Sequence, residues 1–286
     1  MSIKKYIDKV EDLSGKEIIV TGGTSGIGLS LVKQLLSKNA KVVVLARNMQ
    51  KAEGVKESLL RSYENLEISF IQYNQSDDQS VVAAAKEISE KHQDFYALVL
   101  NAGITQRKKP TTYVDGYPLT IKTNYVGAAL LLKTLLPLLS NKHRFVFQGS
   151  LCAGWHLKKI KSLKDKDISL WQQYFISKAG IEALYYHYLN NNKDHDFILV
   201  EPGIAVTGIV REFPKIIRVL AKAFSTLFSH AVEKSSLTAL LAVQSTTANG
   251  SYIVPRGLFD WRGYPRFKKF PKKRRKEYLV EMLNTK

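Results

Sequence analysis

Tyr174 and Lys178 are the residues of this sequence whose types and spacing point most directly to chemistry. They lie four positions apart in a segment with helical periodicity, so both side chains share one helix face, one turn apart. A lysine ammonium beside a phenol favours the phenolate and should lower a phenol pKa that is ordinarily about 10. Such a pair would donate and accept a proton near neutral pH. The same spacing recurs at Tyr264 and Lys268, so its meaning depends on the elements around it.

The elements that must position this pair alternate between short β-branched runs and longer helical patterns. Strands are predicted at 17–21, 41–45, 67–73, 95–101, 144–149 and 197–201, with a last short strand at 251–254. Helices are predicted at 27–37, 79–91, 119–139, 171–190 and 232–243. This alternation indicates a Rossmann-type α/β fold, a doubly wound parallel sheet in three α/β/α layers. Residues 1–261 are predicted to form one domain, followed by a basic C-terminal extension at 262–286.

The first predicted strand runs into a glycine-rich turn and then a helix. Glycines allow a tight turn and a close approach of the backbone to a pyrophosphate, and a helix N-terminus offers unpaired N–H groups to the phosphates. The spacing is Thr-Gly-x-x-x-Gly-x-Gly rather than Gly-x-Gly-x-x-Gly. The turn predicts a dinucleotide site formed by Thr21, Gly22, Thr24, Ser25, Gly26, Ile27 and Gly28.

The end of the second predicted strand indicates which dinucleotide binds. An acidic residue about 20 positions after the glycine turn would bind the ribose 2′-hydroxyl of NAD. The sequence has Arg47 there, followed by Asn48, and the planar donor fork of an arginine suits a 2′-phosphate. NADP(H) is therefore predicted to be favoured over NAD(H). The alternative is that Arg47 is one more solvated surface charge.

Together with four further motifs, these residues resemble the short-chain dehydrogenase/reductase family over about residues 15–208. The motifs follow the family's order: Asn101-Ala102-Gly103 after the fourth strand, Asn124, Gly149-Ser150 at the end of the fifth strand, and Pro202-Gly203 followed by Thr207. The stretch Asp115-Gly116-Tyr117 is similar to the retinol-dehydrogenase-like branch. That branch implies lipophilic alcohols and carbonyls as substrates, with NADP(H) as cofactor.

The resemblance implies a role for each motif residue. Hydride would pass between the nicotinamide and a carbonyl or alcohol carbon, while Tyr174 protonates the developing alkoxide or deprotonates the alcohol. Ser150 would hydrogen-bond the same oxygen, Lys178 would hold the nicotinamide ribose, and Asn124 would support a water relay. Further cofactor contacts would come from Asn74, Asn101, Ala102, Gly103, Pro202, Gly203 and Thr207.

The composition indicates the class of protein and the cellular compartment in which it is expected. Hydrophobic residues make up 45% of the 286 residues, which is enough for a packed core. The single cysteine, Cys152, leaves no internal disulfide and fits a reducing compartment. There is no apolar run of about 18 residues that would span a bilayer, so a cytoplasmic protein is predicted. No metal site is expected, because His156, His187 and His195 lack the spacing of metal ligands.

Positive charge is concentrated towards the C-terminus. The net charge is +18, and residues 262–286 hold ten Lys and Arg against two Glu, with aromatic residues between them. Such a segment suits peripheral contact with an anionic membrane, binds nucleic acid without sequence specificity, or is simply solvated. The family resemblance implies a substrate lid at 208–230. An apolar helical stripe at 216–228 suggests that this lid covers a lipophilic substrate, and a basic amphipathic helix of this kind also suits a membrane surface.

The predicted function is that of an NADP(H)-dependent oxidoreductase acting on a lipophilic carbonyl or alcohol. The alternative is a nonenzymatic NADP-sensing or scaffold protein on the same fold. Such a protein would be expected to have lost Tyr174 or Lys178, and this sequence keeps both. The substrate, the direction of the reaction and the oligomeric state, a homo-oligomer included, are left open.

Overall fold

The computed structural model describes residues 2–63, 66–106, 110–154, 160, 162–203, 232–257, 260–274 and 276–284. Thr207 and the lid predicted at 208–230 lie outside the described residues.

Seven of the ten described strands lie where the sequence predicts them, whereas the two short strands within 113–118 and the strand at 265–268 were not predicted. In chain order the strands are β1 (Glu17–Thr21), β2 (Lys41–Ala46), β3 (Ile68–Gln72), β4 (Ala97–Leu100), β5 (Tyr113–Val114), β6 (Tyr117–Pro118), β7 (Arg144–Gln148), β8 (Asp196–Val200), β9 (Tyr252–Pro255) and β10 (Pro265–Lys268). Eight of these described strands form one sheet in the order β10-β9-β8-β7-β4-β1-β2-β3, and β5 pairs with β6. All neighbours in the large sheet are parallel except β9 and β10. Residues of the basic C-terminal segment thus continue the main sheet.

The helices cover both faces of this sheet. They are α1 (Ile3–Ile7), α2 (Gly26–Leu36), α3 (Met49–Leu60), α4 (Asp78–Lys91), α5 (Leu119–Ile121), α6 (Gly127–Leu135), α7 (Leu170–Asn191), α8 (Val232–Ser235), α9 (Leu237–Ala242) and α10 (Tyr278–Asn284). A π turn at Lys122–Val126 joins α5 to α6, and 3₁₀ turns lie at Leu136–Leu138, Leu151–Gly154 and Lys272–Arg274.

The core consists of two layers, one on each side of the sheet. Successive side chains of a strand point to opposite faces, so Ile19 of β1 packs with α4, α6 and α7, whereas Ile18 and Val20 pack with α2 and α9. Burial on both faces explains why the strands are nearly continuous apolar runs. The predicted three-layer α/β/α fold is confirmed.

The helices differ from the sequence prediction in several places: α1, α3 and α10 lie outside the predicted helices, and the helix predicted at 232–243 is divided into α8 and α9. The helix predicted at 119–139 is divided into α5, the π turn, α6 and a 3₁₀ turn. Helix α6 ends at this 3₁₀ turn because it contains Pro137, and proline removes a helix hydrogen bond. Helix α3 was not predicted at all. Its only buried residues are Ala52 and Leu59, which is too few for a clear apolar stripe.

The order of the strands determines where a ligand can bind. Strand β1 lies between β2 and β4, so the direction in which the chain adds strands reverses beside β1. At such a switch point a crevice opens beyond the carboxyl ends of the strands. The glycine turn follows β1, Arg47 follows β2, Asn101 follows β4, Ser150 lies just after β7 and Pro202 just after β8. The predicted site residues therefore come together at one edge of the sheet.

Candidate active site

A cleft of about 850 Å³ runs along the carboxyl edge of the sheet. Most of the predicted cofactor residues line it, namely Gly22, Thr24, Ser25, Gly26, Ile27, Gly28, Arg47, Asn74, Asn101, Ala102, Gly103, Tyr174, Lys178 and Pro202. Of the others, Thr21 is buried, and Gly203 adopts a φ of 72° against the Trp261 carbonyl. The cleft thus joins the glycine turn to the candidate catalytic pair.

Two positions of the glycine turn require glycine for different reasons. Gly22 has a φ of 70°, a conformation that glycine adopts without strain. A Cβ on Gly28 would lie 2.4 Å from the carbonyl oxygen of Gly22 and 2.5 Å from Nδ2 of Asn101. Helix α2 therefore begins in close contact with the turn. Ser25 precedes it without a side-chain capping bond, which leaves the first-turn N–H groups for an anion.

Thr21 and Asn101 tie the turn after β1 to the turn after β4. The Thr21 hydroxyl oxygen accepts from the backbone N–H of Asn101 at 3.0 Å and of Ala102 at 2.9 Å. In return Asn101 Nδ2 donates to the Thr21 carbonyl at 2.9 Å. Thr21 is thus fixed beneath the cleft and shapes it, while Asn101 lies in its wall.

The end of the cleft beside β2 is basic. Arg47 is exposed and lines the cleft, and so does Lys51 in the first turn of α3. The Asn48 side chain caps α3 by accepting from the Lys51 N–H at 2.8 Å. Sequence reasoning missed Lys51 because it missed this helix; the cap residue directly after Arg47 was the available signal. Asn74 lines the same cleft, with its amide oxygen accepting from the Ser76 hydroxyl at 2.9 Å.

Buried polar atoms without a protein partner indicate what the cleft is built to hold. Within the described residues, five such atoms belong to residues that line it: Tyr73 Oη, Gln75 Oε1, Thr105 Oγ1, Thr123 Oγ1 and Gln148 Oε1. Each orphaned polar atom costs about 1–3 kcal/mol, so their concentration in one cleft favours a polar ligand. A nicotinamide dinucleotide, with its phosphates, ribose hydroxyls and carboxamide, fits these residues.

Tyr174 and Lys178 share one face of α7, which begins with a capping box between Ser169 and Gln172. Lys178 Nζ donates to the Gln148 carbonyl at 2.9 Å, and burial lowers the pKa of Lys178 to about 8. Burial also raises the pKa of Tyr174. The expectation that the pKa of this phenol is lowered by Lys178 is therefore wrong for this arrangement. The influence that opposes burial is the Ser150 side chain rather than Lys178.

Ser150 lies beside the Tyr174 phenol. It begins a short loop after β7, where its side chain lies near enough to lower the pKa of the Tyr174 phenol, and its hydroxyl oxygen accepts from the Cys152 N–H at 3.3 Å. The other pair with the same spacing has no such setting. Tyr264 stacks on Tyr6, and Lys268 lies on β10 rather than on a helix.

Asn124 lies in the π turn and joins two parts of the site. Its Oδ1 accepts from the Ile104 N–H at 2.7 Å, and its Nδ2 donates to the Ile104 carbonyl at 2.8 Å and to the Ser177 hydroxyl at 3.0 Å. The side chain thereby holds the loop after Gly103 against α7, next to Lys178. A π turn commonly marks a functional site. The water relay at Asn124 remains a prediction.

Gln148 is a second residue that sequence reasoning missed. Its carbonyl accepts from Lys178, and its Nε2 donates to Asn101 Oδ1 at 3.1 Å. It therefore links α7 to the wall of the cleft. The signal was a polar residue at the end of a fully buried strand, directly before Gly149 and Ser150.

Comparison with known proteins agrees with this geometry. The profile of the family described as short chain dehydrogenase matches residues 16–215. A short-chain dehydrogenase/reductase of Emericella nidulans, pkfC, is 30% identical over 87% of this chain and 86% of its own. The human 3-keto-steroid reductase/17-beta-hydroxysteroid dehydrogenase 7 is 29% identical over 68% of this chain and 67% of its own.

A solved structure shares the fold at lower identity. The Pseudomonas aeruginosa RhlG/NADP active-site complex superposes with a TM-score of 0.65 at 20% identity, over 83% of this chain and 92% of that one. The family profile covers more than half of the sequence and includes the glycine turn, Ser150, Tyr174 and Lys178. The chain belongs to the short-chain dehydrogenase/reductase family of oxidoreductases.

Proposed function

We propose that the protein transfers a hydride between NADP(H) and the carbonyl or alcohol carbon of a lipophilic small molecule. The observation that carries this proposal is the cleft itself, which has a glycine turn and two basic residues along its length and the Tyr174 phenol, beside Ser150, in its wall. The name of the human relative, a 3-keto-steroid reductase, supports a lipophilic carbonyl.

The chain's own residues would bind, orient and move a proton. When bound, the nicotinamide supplies or accepts the hydride. Gly22, Ser25 and the N-terminus of α2 would hold the phosphates, and Lys178 the nicotinamide ribose. Ser150 would orient the substrate oxygen, and Tyr174 would donate the proton to it in reduction or remove it in oxidation.

A screen of NADPH oxidation with lipophilic aldehydes, ketones and steroids tests the proposal. Turnover of at least one class, dependent on Tyr174, is the expected result. NADPH binding without turnover of any carbonyl, or of the matching alcohols with NADP⁺, would instead favour the nonenzymatic sensing or scaffold function.

Arg47 and Lys51 are expected to set the preference for NADP(H) over NAD(H). The double variant Arg47→Ala/Lys51→Ala should raise KM for NADPH by about 10–100-fold and leave KM for NADH nearly unchanged, because only NADPH has a 2′-phosphate to pair with these charges. Steady-state kinetics with both cofactors measures the ratio. Lys56→Ala, on the same helix but outside the cleft lining, is the matched control. An equal loss for both cofactors would contradict the assignment.

We also propose peripheral contact with an anionic membrane, on the evidence of the exposed surface of the C-terminal segment. Phe267 is 57% exposed, and Lys269, Lys272 and Lys273, which follow it within six positions of the sequence, are also exposed. Charges of this kind contribute about 1 kcal/mol each near an anionic surface. Among the described helices, none combines the length and apolar character needed to cross a bilayer.

Point variants test this contact better than truncation, because removing residues 262–286 would also remove β10. The variant Lys269→Gln/Lys272→Gln/Lys273→Gln should lose sedimentation with phosphatidylserine vesicles, by about 10-fold or more in partition coefficient. The variant Lys33→Gln/Lys86→Gln/Lys133→Gln removes the same charge from exposed lysines elsewhere and should sediment as the wild type does. Equal sedimentation of both triple variants would contradict the proposed membrane contact.

A further inference from the structure

Arg274 is buried although it lies in the most basic stretch of the chain. Its side chain is 8% exposed and contacts two carboxylates, Glu182 and Glu201, that are 1% and 0% exposed. A charge buried in this way is costly unless it is paired and fully hydrogen-bonded. Its neighbours Lys272 and Lys273 are exposed, so the burial is specific to this arginine.

The guanidinium uses donors on all three of its nitrogens. Nε donates to Glu182 Oε2 at 2.9 Å, Nη1 to the Tyr252 hydroxyl at 3.0 Å, and Nη2 to the Ser150 carbonyl at 3.0 Å. Nη2 also pairs with one carboxylate oxygen of Glu182 and one of Glu201. Tyr252 in turn donates to Glu201 Oε1 at 2.6 Å. Only the planar fork of an arginine can satisfy this many acceptors from one side chain.

The partners of Arg274 surround the candidate catalytic residues. Glu182 lies one helical turn after Lys178 on α7, and Glu201 directly precedes Pro202 in the cleft wall. The Ser150 backbone N–H faces the Glu182 carboxylate and lowers its pKa, while the Ser150 carbonyl accepts from Arg274. The backbone of Ser150 therefore contacts this ion pair on both sides, with a hydrogen bond from Arg274 to its carbonyl.

We propose that Arg274 is a positioning residue for the reaction: together with Glu182 it fixes the Ser150 loop against α7, so that the Ser150 hydroxyl and the Tyr174 phenol address the same substrate oxygen. The inference rests on the proposed function, because it assigns Ser150 and Tyr174 to one reacting centre. It also makes the C-terminal segment a part of the active site rather than an appendage.

Two further observations support this role for the C-terminal segment. Lys276 Nζ donates to the Ala153 carbonyl in the same loop at 3.4 Å, and the Tyr125 hydroxyl beside Asn124 donates to the Leu279 carbonyl at 2.7 Å. Burial raises the pKa of Glu182, and the Arg274 guanidinium is the largest influence opposing that rise. Arg274 thereby favours the ionised carboxylate that faces the Ser150 N–H.

The variant Arg274→Lys keeps the charge and removes the fork. We expect kcat to fall by about 10–100-fold, since a catalytic group displaced by about 1 Å can cost that much, while the Kd for NADPH changes by less than about two-fold. Arg266→Lys is the matched control: this arginine lies in the same segment but pairs with Asp260, and its side chain is 40% exposed. The variant Arg266→Lys should retain wild-type kcat. A wild-type kcat in Arg274→Lys would overturn the proposal.

Cys152 provides a measurement that does not depend on activity. It is the only cysteine of the chain, it is half-buried, and it lies two residues after Ser150. Release of the loop in Arg274→Lys should raise the rate of Cys152 modification by a thiol reagent several-fold in the folded protein, and Arg266→Lys should not. If the wild type turned over no substrate, the proposed function would fail, and the Cys152 rate would still decide whether Arg274 holds the loop.

Glu182→Gln keeps the shape of the carboxylate and provides a second test should Arg274→Lys not fold. It should reproduce the fall in kcat at unchanged NADPH affinity, because the neutral amide holds Arg274 less firmly. Where both variants fold, the double variant should be little worse than either one, since both remove the same interaction. Losses in kcat that multiply would mean that the two residues act independently, and would overturn the proposal.

Discussion

Replacing Tyr174 with phenylalanine is expected to lower kcat by about 10²–10⁴-fold, which is the usual contribution of a general acid or base. NADPH affinity should remain within about two-fold of wild type, because phenylalanine keeps the ring and loses only the hydroxyl. Burial raises the pKa of Tyr174, so the phenol is protonated throughout the neutral range. It is therefore prepared to donate a proton to an alkoxide, as the reduction direction requires.

A second tyrosine on α7 separates chemistry from packing. Tyr188 is half-buried, stacks on Phe197 with ring centroids 5.7 Å apart, and lies outside the cleft lining. Tyr188→Phe should keep wild-type kcat, measured as NADPH oxidation with the best substrate of the screen. Substantial turnover by Tyr174→Phe, or an equal loss in Tyr188→Phe, would contradict the assignment of Tyr174 as the proton donor.

The parts of the site that the sequence predicts are those set by short-range rules. The turn from β1 into α2 requires glycines at fixed positions, and the shared face of Tyr174 and Lys178 follows from helix periodicity alone. The apolar runs of a sheet buried on both faces also reveal the strands directly. These features depend on residues a few positions apart, so the order of motifs along the chain was enough to find them.

The remaining parts depend on contacts between distant segments. The sequence alone predicts that Arg274 is a surface charge, because its neighbours are lysines and arginines. In the structure it pairs with Glu182, 92 positions earlier. Nothing local distinguishes it, since only the docked C-terminal segment brings these groups together. The pKa of Tyr174 was misjudged for a related reason. Spacing predicts that Lys178 shares the helix face of Tyr174, but the burial that raises the pKa of Tyr174 comes from the whole fold.

Gly28→Ala is expected to weaken NADPH binding by about 10²-fold and to lower the free energy of unfolding by about 1–3 kcal/mol, the usual cost of overpacking. The new Cβ would lie 2.4 Å from the Gly22 carbonyl oxygen and 2.5 Å from Asn101 Nδ2. Neither atom can move easily, because Asn101 donates to the Thr21 and Gly22 carbonyls and so ties the two turns together. The turn must open instead, which separates it from the N-terminus of α2 where the phosphates would bind.

Gly54→Ala is the matched control for this prediction. Gly54 lies on the exposed side of α3 with nothing within 4 Å of an added Cβ, so alanine should keep NADPH affinity and stabilise the helix by up to about 1 kcal/mol. Fluorescence titration with NADPH and thermal unfolding measure the two quantities on both variants. A stable Gly28→Ala protein with wild-type NADPH affinity would mean that the phosphates bind elsewhere. A destabilised Gly28→Ala protein whose folded fraction binds NADPH normally would limit the role of Gly28 to packing. Only a loss of NADPH affinity in the folded protein supports a phosphate site at this turn.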